Sequence, residues 1–256
     1  MRLAAVLTDL DGTLLDQGGV LGPDARRAID DLGRRGIPVV PLTSKTEVEL
    51  RGLLAELDLG LIGGFENGAG IVGPAGVVVS ERVADIETLH ARIDELSALA
   101  GLPLRPVSAL STGELQRITG LPRARIPAML ARRFGLPFLA PEGTDDELVR
   151  AATRLPGVRL TRGGLFWHLS GDHGKEDALG LLLRTGLVER PLAGLGDAPN
   201  DAGFLAECDV AVLVPGSPGT VDPALAAAVP AGRFAPFPAG RGWAAAVTAL
   251  LREESR

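Results

Sequence analysis

Leu3-Ala-Ala-Val-Leu-Thr-Asp-Leu-Asp-Gly-Thr13 decides the architecture. A short apolar run without alternation reads as a strand buried on both faces, as in a parallel sheet, and it stops at an Asp-Gly turn signal. Outward from it the same rhythm repeats. After Gly22-Pro23-Asp24, a helical pattern in Ala25, Ala28, Ile29 and Leu32 closes at Gly36. A second apolar run, Ile37 to Leu42, ends at Thr43-Ser44. Thr46 with Glu49 then forms the capping box of a helix carrying Val48, Leu50, Leu53, Leu54 and Leu57. A third run, Leu59 to Ile62, leads into Phe65-Glu-Asn-Gly68. This alternation predicts an α/β fold with a doubly wound, Rossmann-like parallel-sheet core.

The rhythm changes after residue 77. Val77 to Val79 reads as a strand, followed by a helix through Val83, Ile86, Leu89, Ile93, Leu96 and Leu99. Next come a strand over Leu102 to Val107, a helix opened by Ser111 with Glu114, and an Arg-rich helix from Arg123 to Phe134. Thr144 with Glu147 opens another helix, and strands over 158–161 and 165–169 flank Gly163-Gly164, a hairpin signal. Residues 78–170 therefore read as an inserted α+β cap domain, with 1–77 and 171–256 as the core. The parallel pattern resumes with a helix from Lys175 to Leu183 and a strand over Leu192 to Leu195. That strand runs into Gly196-Asp-Ala-Pro-Asn-Asp201. A strand over Val210 to Val214 and a helix from Trp243 to Arg252 complete it.

Composition sets the outer limits. The chain has 256 residues, 46% apolar and 23% charged, enough to pack a core and unlike a disordered chain. The net charge is −6, and basic residues form nothing longer than pairs such as Arg132-Arg133. Neither a nucleic-acid backbone nor an anionic membrane is an expected partner. The single cysteine, Cys208, excludes an intramolecular disulfide framework, fits a reducing compartment and reads as a small apolar filler. No apolar stretch reaches the roughly 18 residues of a membrane span, and Leu3 to Leu7 is too short for a signal-peptide core. The expectation is a soluble cytoplasmic protein.

Only two lysines occur, Lys45 and Lys175, and only two asparagines, Asn67 and Asn200. In a chain that otherwise prefers arginine, these mark places where a compact ammonium or an amide has no substitute. All but Lys175 fall within four polar clusters just past the carboxyl ends of expected core strands. The clusters are Asp9/Asp11/Thr13, Thr43/Ser44/Lys45, Glu66/Asn67 and Asp197/Asn200/Asp201. Open α/β sheets bind ligands at that edge. An EF-hand loop fails here, because its sixth-position Gly and twelfth-position Glu would fall on Leu14 and Val20. Four carboxylates converging from separate strands would repel unless a hard divalent cation joined them. Oxygen donors point to Mg²⁺, whereas one cysteine and scattered His90, His168 and His173 make zinc improbable. A cation held by carboxylates beside a lysine and a hydroxyl is a phosphoryl-transfer constellation.

In order and in strand context, Asp9-Leu-Asp-Gly-Thr13, Thr43, Lys175 and Gly196-Asp197-x-x-Asn200-Asp201 resemble the four motifs of the haloacid-dehalogenase-like phosphatases. A narrower resemblance runs along nearly the whole chain. Pro41-Leu-Thr-Ser-Lys-Thr46, Glu66-Asn-Gly-Ala-Gly-Ile71, Ala131-Arg-Arg-Phe-Gly-Leu-Pro-Phe138 and Gly163-Gly-Leu-Phe-Trp-His168 look like mannosyl-3-phosphoglycerate phosphatases. Thr-Ser-Lys-Thr tells most, since related sugar phosphatases usually carry Thr-Gly-Arg there. Two cap positions depart from the pattern: a basic residue is expected at Leu165 and an acidic one at Leu136.

The resemblance implies Asp9 as nucleophile through a phosphoaspartyl intermediate and Asp11 as general acid and base. Mg²⁺ would be held by Asp9, Asp197 and the main-chain carbonyl of Asp11, with Asp201 completing or orienting the shell. Lys175 adds positive charge, Thr43 donates to phosphate, and Asn200 fixes Asp197 or Lys175. The expected substrate is a small phosphorylated sugar-glycerate, mannosyl- or glucosyl-3-phosphoglycerate. The alternative is a phosphatase or phosphomutase for another sugar phosphate, such as sucrose phosphate. Ser44, Lys45, Glu66 and Asn67 stand where the sugar phosphate would lie, although Lys45 also reads as a solvated first-turn residue and Asn67-Gly68 as a tight turn. Arg132 or Arg133 would clamp the glycerate carboxylate, or serve only as surface arginine. His168 would touch sugar or glycerate, or simply pack; Trp167 reads as core.

Overall fold

The computed structural model describes residues 2–16, 18–163, 165–216 and 219–254. Gly164, half of the expected hairpin signal, lies outside them. From the N-terminus the chain forms β1 (Ala5–Thr8), α1 (Pro23–Arg34), β2 (Val39–Pro41), α2 (Glu47–Glu56), β3 (Gly63–Phe65), β4 (Gly70–Gly73) and β5 (Gly76–Val79). The middle holds α3 (Ile86–Ala100), β6 (Arg105–Pro106), α4 (Thr112–Thr119), α5 (Ile126–Leu130), β7 (Gly135–Leu139), α6 (Asp145–Ala152), β8 (Arg159–Arg162) and β9 (Trp167–Ser170). The last part comprises α7 (Lys175–Arg184), β10 (Leu192–Gly196), α8 (Ala202–Glu207), β11 (Val210–Leu213), α9 (Pro223–Ala228), β12 (Arg233–Phe234) and α10 (Ala239–Glu254).

The core sheet is parallel throughout, in the order β12-β11-β10-β1-β2. β1 lies between β10 and β2 and is buried on both faces, which is why its sequence shows no alternation. Val6 joins Ala25, Leu32, Trp243 and Val247 on the side of α1 and α10. Ala5 and Leu7 join Leu179, Leu182, Phe204 and Leu205 on the side of α7 and α8. The period-2 geometry of a strand thus feeds two helical layers. Because the strands run the same way, β1, β2 and β10 deliver Asp9, Thr43 and Asp197 to one edge. Leu42 bridges Gly64 in parallel and brings β3 to the end of β2.

A second, antiparallel sheet has the order β6-β7-β9-β8. Helices α3 and α6 cover one face, packing Leu89, Ile93, Leu96 and Leu148 against Leu136, Phe138, Trp167 and Leu169. Trp167 is therefore core. His168, opposite Pro137 and Thr161, belongs to the other face.

Several sequence expectations shift. The third strand forms at Gly63–Phe65, not Leu59 to Ile62, and pairs antiparallel with β4. The boundary expected between residues 77 and 78 falls inside β5, whose ladder is with β4. The strand expected over Leu102 to Val107 shrinks to two residues. The Arg-rich helix is a 3-10 turn at Arg123–Arg125 followed by a helix of only five residues. It stops at Ala131, and Gly135–Leu139 becomes a strand that helical periodicity hid. Pro137 stands in that strand beyond the two-residue reach of β6, so one flank of it has no ladder to break. Thr46 and Ser111 form capping boxes as expected. Thr144 does not, because its hydroxyl donates to the Pro141 carbonyl. The last helix begins at Ala239, before Trp243.

Candidate active site

Asp9 leaves β1 with its main chain anchored from behind. Trp243 Nε1 donates to Thr8 Oγ1 (3.0 Å), and that hydroxyl donates to the Asp9 carbonyl (2.7 Å). Lys175, the first residue of α7, is 1% exposed and reaches Asp9 Oδ1 at 2.5 Å and Asp201 Oδ1 at 2.6 Å. The other Asp201 oxygen accepts from the backbone N–H groups of Asp197 and Ala198, both at 3.0 Å, closing the loop after β10. Thr13 donates to Asp197 Oδ1 at 2.5 Å. This approach requires Gly12, which has φ +84° and whose Cβ would stand 2.6 Å from Asp197 Oδ2. Asp9, Asp197 and Asp201 thereby bring three carboxylate oxygens within 4.8 Å of one another, a group able to hold a metal ion.

Asp11 departs from the expected convergence. Its carboxylate is not in that cluster but pairs with Lys45 Nζ at 2.6 Å, at a more open position. The Lys45 N–H donates to Thr43 Oγ1 (3.2 Å), which leaves the hydroxyl hydrogen of Thr43 available to a ligand. Asn200 does not reach Asp197 or Lys175. It donates to Asn67 Oδ1 at 3.1 Å, joining the loop after β10 to the loop after β3. Asn67 and its neighbour Glu66 have positive φ, 55° and 44°. The turn presses so closely on α7 that a Cβ at Gly68 would fall 1.8 Å from the Gly174 carbonyl oxygen.

Glu66 is engaged by protein, not open to a sugar. Its carboxylate accepts the N–H groups of Arg133 (3.0 Å) and Phe134 (2.9 Å) from the insertion. Arg132 Nη1 donates to the Ser44 carbonyl at 3.0 Å, while its buried Nε has no partner. Arg133 turns away, stacking on Phe134 and approaching Glu47 at 3.6 Å. Of the two arginines offered for the carboxylate, only Arg132 points into the region of Ser44 and Lys45. The contacts of Thr13 with Asp197, of Thr46 with the insertion and of His173 with the Glu66 turn were not read from the sequence. Thr46 donates to the Ala128 carbonyl (2.8 Å), and His173 Nε2 lies 3.2 Å from the Glu66 carbonyl oxygen. These partners lie 82 or more residues away in the chain, so no local signal marks the contacts.

Electrostatics follow burial. Burial pushes the Asp9 carboxyl well up; Lys175 pulls it back, and Asp201 and Asp197 push it up further. Burial and then Asp201 raise Asp197 to about 6. Lys175 feels burial against its charge, yet Asp201 and Asp9 overcome it and hold the ammonium above its ordinary range. Burial takes His168 down to about 3, helped by Arg132 and Arg162, so this imidazole is neutral at pH 7. Glu66 is raised by burial, with Arg132 and the backbone N–H groups of Phe134 and Arg133 opposing. Burial pushes the Cys208 thiol up to about 12, leaving it inert.

Residues 6–103, which hold Asp9, Asp11, Thr43 and Lys45, match the family described as haloacid dehalogenase-like hydrolase. A glucosyl-3-phosphoglycerate/mannosyl-3-phosphoglycerate phosphatase of Persephonella marina is 27% identical to this chain over 98% of both chains. One of Methanococcoides burtonii with the same name is 29% identical over 86% of this chain and 88% of its own. A solved sugar phosphatase of HAD subclass IIB superposes with a TM-score of 0.71 over 98% of both chains, at 14% identity. Among the described residues, no helix is long and apolar enough to cross a membrane.

Proposed function

We propose that this chain is an Mg²⁺-dependent phosphomonoesterase that releases phosphate from mannosyl- or glucosyl-3-phosphoglycerate, with the insertion between β5 and α7 as its cap. The observation that carries the reading is Lys175 buried between Asp9 and Asp201, beside a three-carboxylate group of hard oxygen donors. The names of the two relatives support the substrate.

Asp9 attacks phosphorus; the Asp9–phosphorus bond forms as the ester bond breaks, and the departing oxygen takes the proton of Asp11. Asp11 then takes a proton from water, whose oxygen bonds to phosphorus as the Asp9–phosphorus bond breaks, releasing phosphate and returning Asp9 to a carboxylate. Thr43 and Lys175 supply a hydrogen bond and a fixed positive charge to the transferring group. The Asp9, Asp197 and Asp201 carboxylates and the Asp11 main-chain carbonyl would hold Mg²⁺. When bound, Mg²⁺ supplies the charge that lets a carboxylate meet a phosphate, a repulsion of about 4 kcal/mol at about 4 Å and an effective dielectric of about 20. Ser44, Lys45, Asn67 and neutral His168 line the sugar-glycerate side, with Asn200 bracing Asn67. The unpartnered Arg132 Nε is the donor that a glycerate carboxylate would satisfy.

Phosphate release from a panel of glycosyl phosphoglycerates and sugar phosphates, sucrose phosphate included, tests the substrate. Preference for a sugar phosphate without a carboxylate would overturn it. Arg132→Ala is expected to raise KM for the phosphoglycerate ester at least tenfold more than for p-nitrophenyl phosphate, whereas Arg133→Ala changes both little. Equal effects of Arg132→Ala on both esters would remove the carboxylate clamp.

Metal affinity should follow pH. Asp197 titrates near 6 in the fold against a normal 3.8. The metal-free fold therefore takes up a proton as pH falls through 6. The stability this proton confers is greatest below the normal value and is lost as pH rises through 6. Cation binding needs the ionised form, so Mg²⁺ affinity should level off above neutrality and weaken about tenfold per pH unit, per displaced proton, at lower pH. Thermal-shift titrations at pH 5 to 8 check this; affinity independent of pH would contradict binding at these carboxylates.

A further inference from the structure

Glu66 lies on the core loop after β3, yet its carboxylate, in a residue 2% exposed, turns to the inserted segment. It takes the N–H groups of Arg133 and Phe134, while the Phe134 ring packs into the apolar cluster of the core with Leu50 and Phe65. Arg132 reaches the opposite way, from the insertion to the Ser44 carbonyl of the core, and Thr46 reaches the Ala128 carbonyl of α5. These contacts end on two loops that are tied together: Glu66 N–H donates to the Lys45 carbonyl (2.8 Å) and Asn67 N–H to the Thr43 carbonyl (2.9 Å). Consecutive positive φ at Glu66 and Asn67 is a costly backbone for residues with a Cβ, and such a turn persists only where its surroundings over-determine it. Here the cap supplies part of that determination.

We infer that Glu66 is a positioning residue for substrate selection: by gripping the Arg133–Phe134 backbone it docks the cap and sets Arg132 beside the Thr43–Lys45 loop. Glu66 touches no substrate. It acts through Arg132, whose remaining buried donor, Nε, is left for a ligand anion. The selectivity part of this inference rests on the phosphoglycerate reading above; the docking part does not.

Two measurements on full-length wild type, Glu66→Gln and Glu66→Ala test it. Small-angle scattering without ligand is expected to show a larger radius of gyration in Glu66→Ala than in wild type, with Glu66→Gln between them. In kinetics, Glu66→Ala should raise KM for mannosyl-3-phosphoglycerate more than tenfold while KM for p-nitrophenyl phosphate moves less than threefold, and Glu66→Gln should recover much of the loss. If the phosphoglycerate is not a substrate, the scattering still reads the docking. Folded variants with the wild-type radius, or with KM raised equally for both esters, would overturn the inference. Should Glu66→Ala fail to fold, the near-isosteric Glu66→Gln carries both tests, with the same outcomes deciding.

Discussion

Asp9→Asn is expected to lower turnover at least about a thousandfold, some 4 kcal/mol of lost transition-state stabilisation, without unfolding the protein. The amide is isosteric but cannot attack phosphorus or carry the phosphoryl group. The fold should tolerate it for an electrostatic reason. Burial, Asp201 and Asp197 all oppose charge on Asp9, and Lys175 keeps its second partner, Asp201 Oδ1, at 2.6 Å. Phosphate release and a thermal melt of the same sample check both halves. Wild-type-like turnover would end the mechanism proposed here.

Lys175→Met should cost stability as well as activity. The ammonium is 1% exposed and its carboxylate partners lie 2.5 and 2.6 Å away. Removing it leaves the carboxylate cluster without its buried counter-charge, and breaking a buried ion pair from one side costs about 3–5 kcal/mol. Since Lys175 is held above its ordinary range, its contribution is present throughout the neutral range and lost only at strongly alkaline pH. Denaturant unfolding in chelator at pH 7.5 is the measurement, and equal stability of variant and wild type would refute the pairing. Adding Mg²⁺ should stabilise the variant more than the wild type, because the cation replaces part of the missing charge. Lys175→Arg is not a rescue: a planar guanidinium does not fit a site built for a compact ammonium.

The core and the edge to which it brings its polar clusters were legible because the signals for both are local in the chain. β1 is apolar on consecutive residues since helices cover both faces, and the parallel strands put Asp9, Thr43 and Asp197 at one edge by topology alone. The insertion was less legible. Gly135–Leu139 contains Gly135 and Pro137, which weaken any strand signal, and follows an arginine pattern that mimics a helix. The side-chain pairings were not legible at all. Asp11 joins Lys45, Asn200 joins Asn67 and Glu66 joins the Arg133–Phe134 backbone, partners 34, 133 and 67 or more residues apart.

What the sequence determined by itself is the inventory: a doubly wound sheet, carboxylates and a lysine at its ligand-binding edge, and a large insertion over it. These follow from periodicity and turn chemistry, which act between near neighbours. The tertiary structure alone decided which carboxylates lie together, which arginine reaches the Ser44 carbonyl and that the Glu66 carboxylate binds the Arg133–Phe134 backbone. Those outcomes depend on desolvation and on distances of a few ångströms between segments remote in the chain, where burial sets the strength of each charge and no sequence spacing records it.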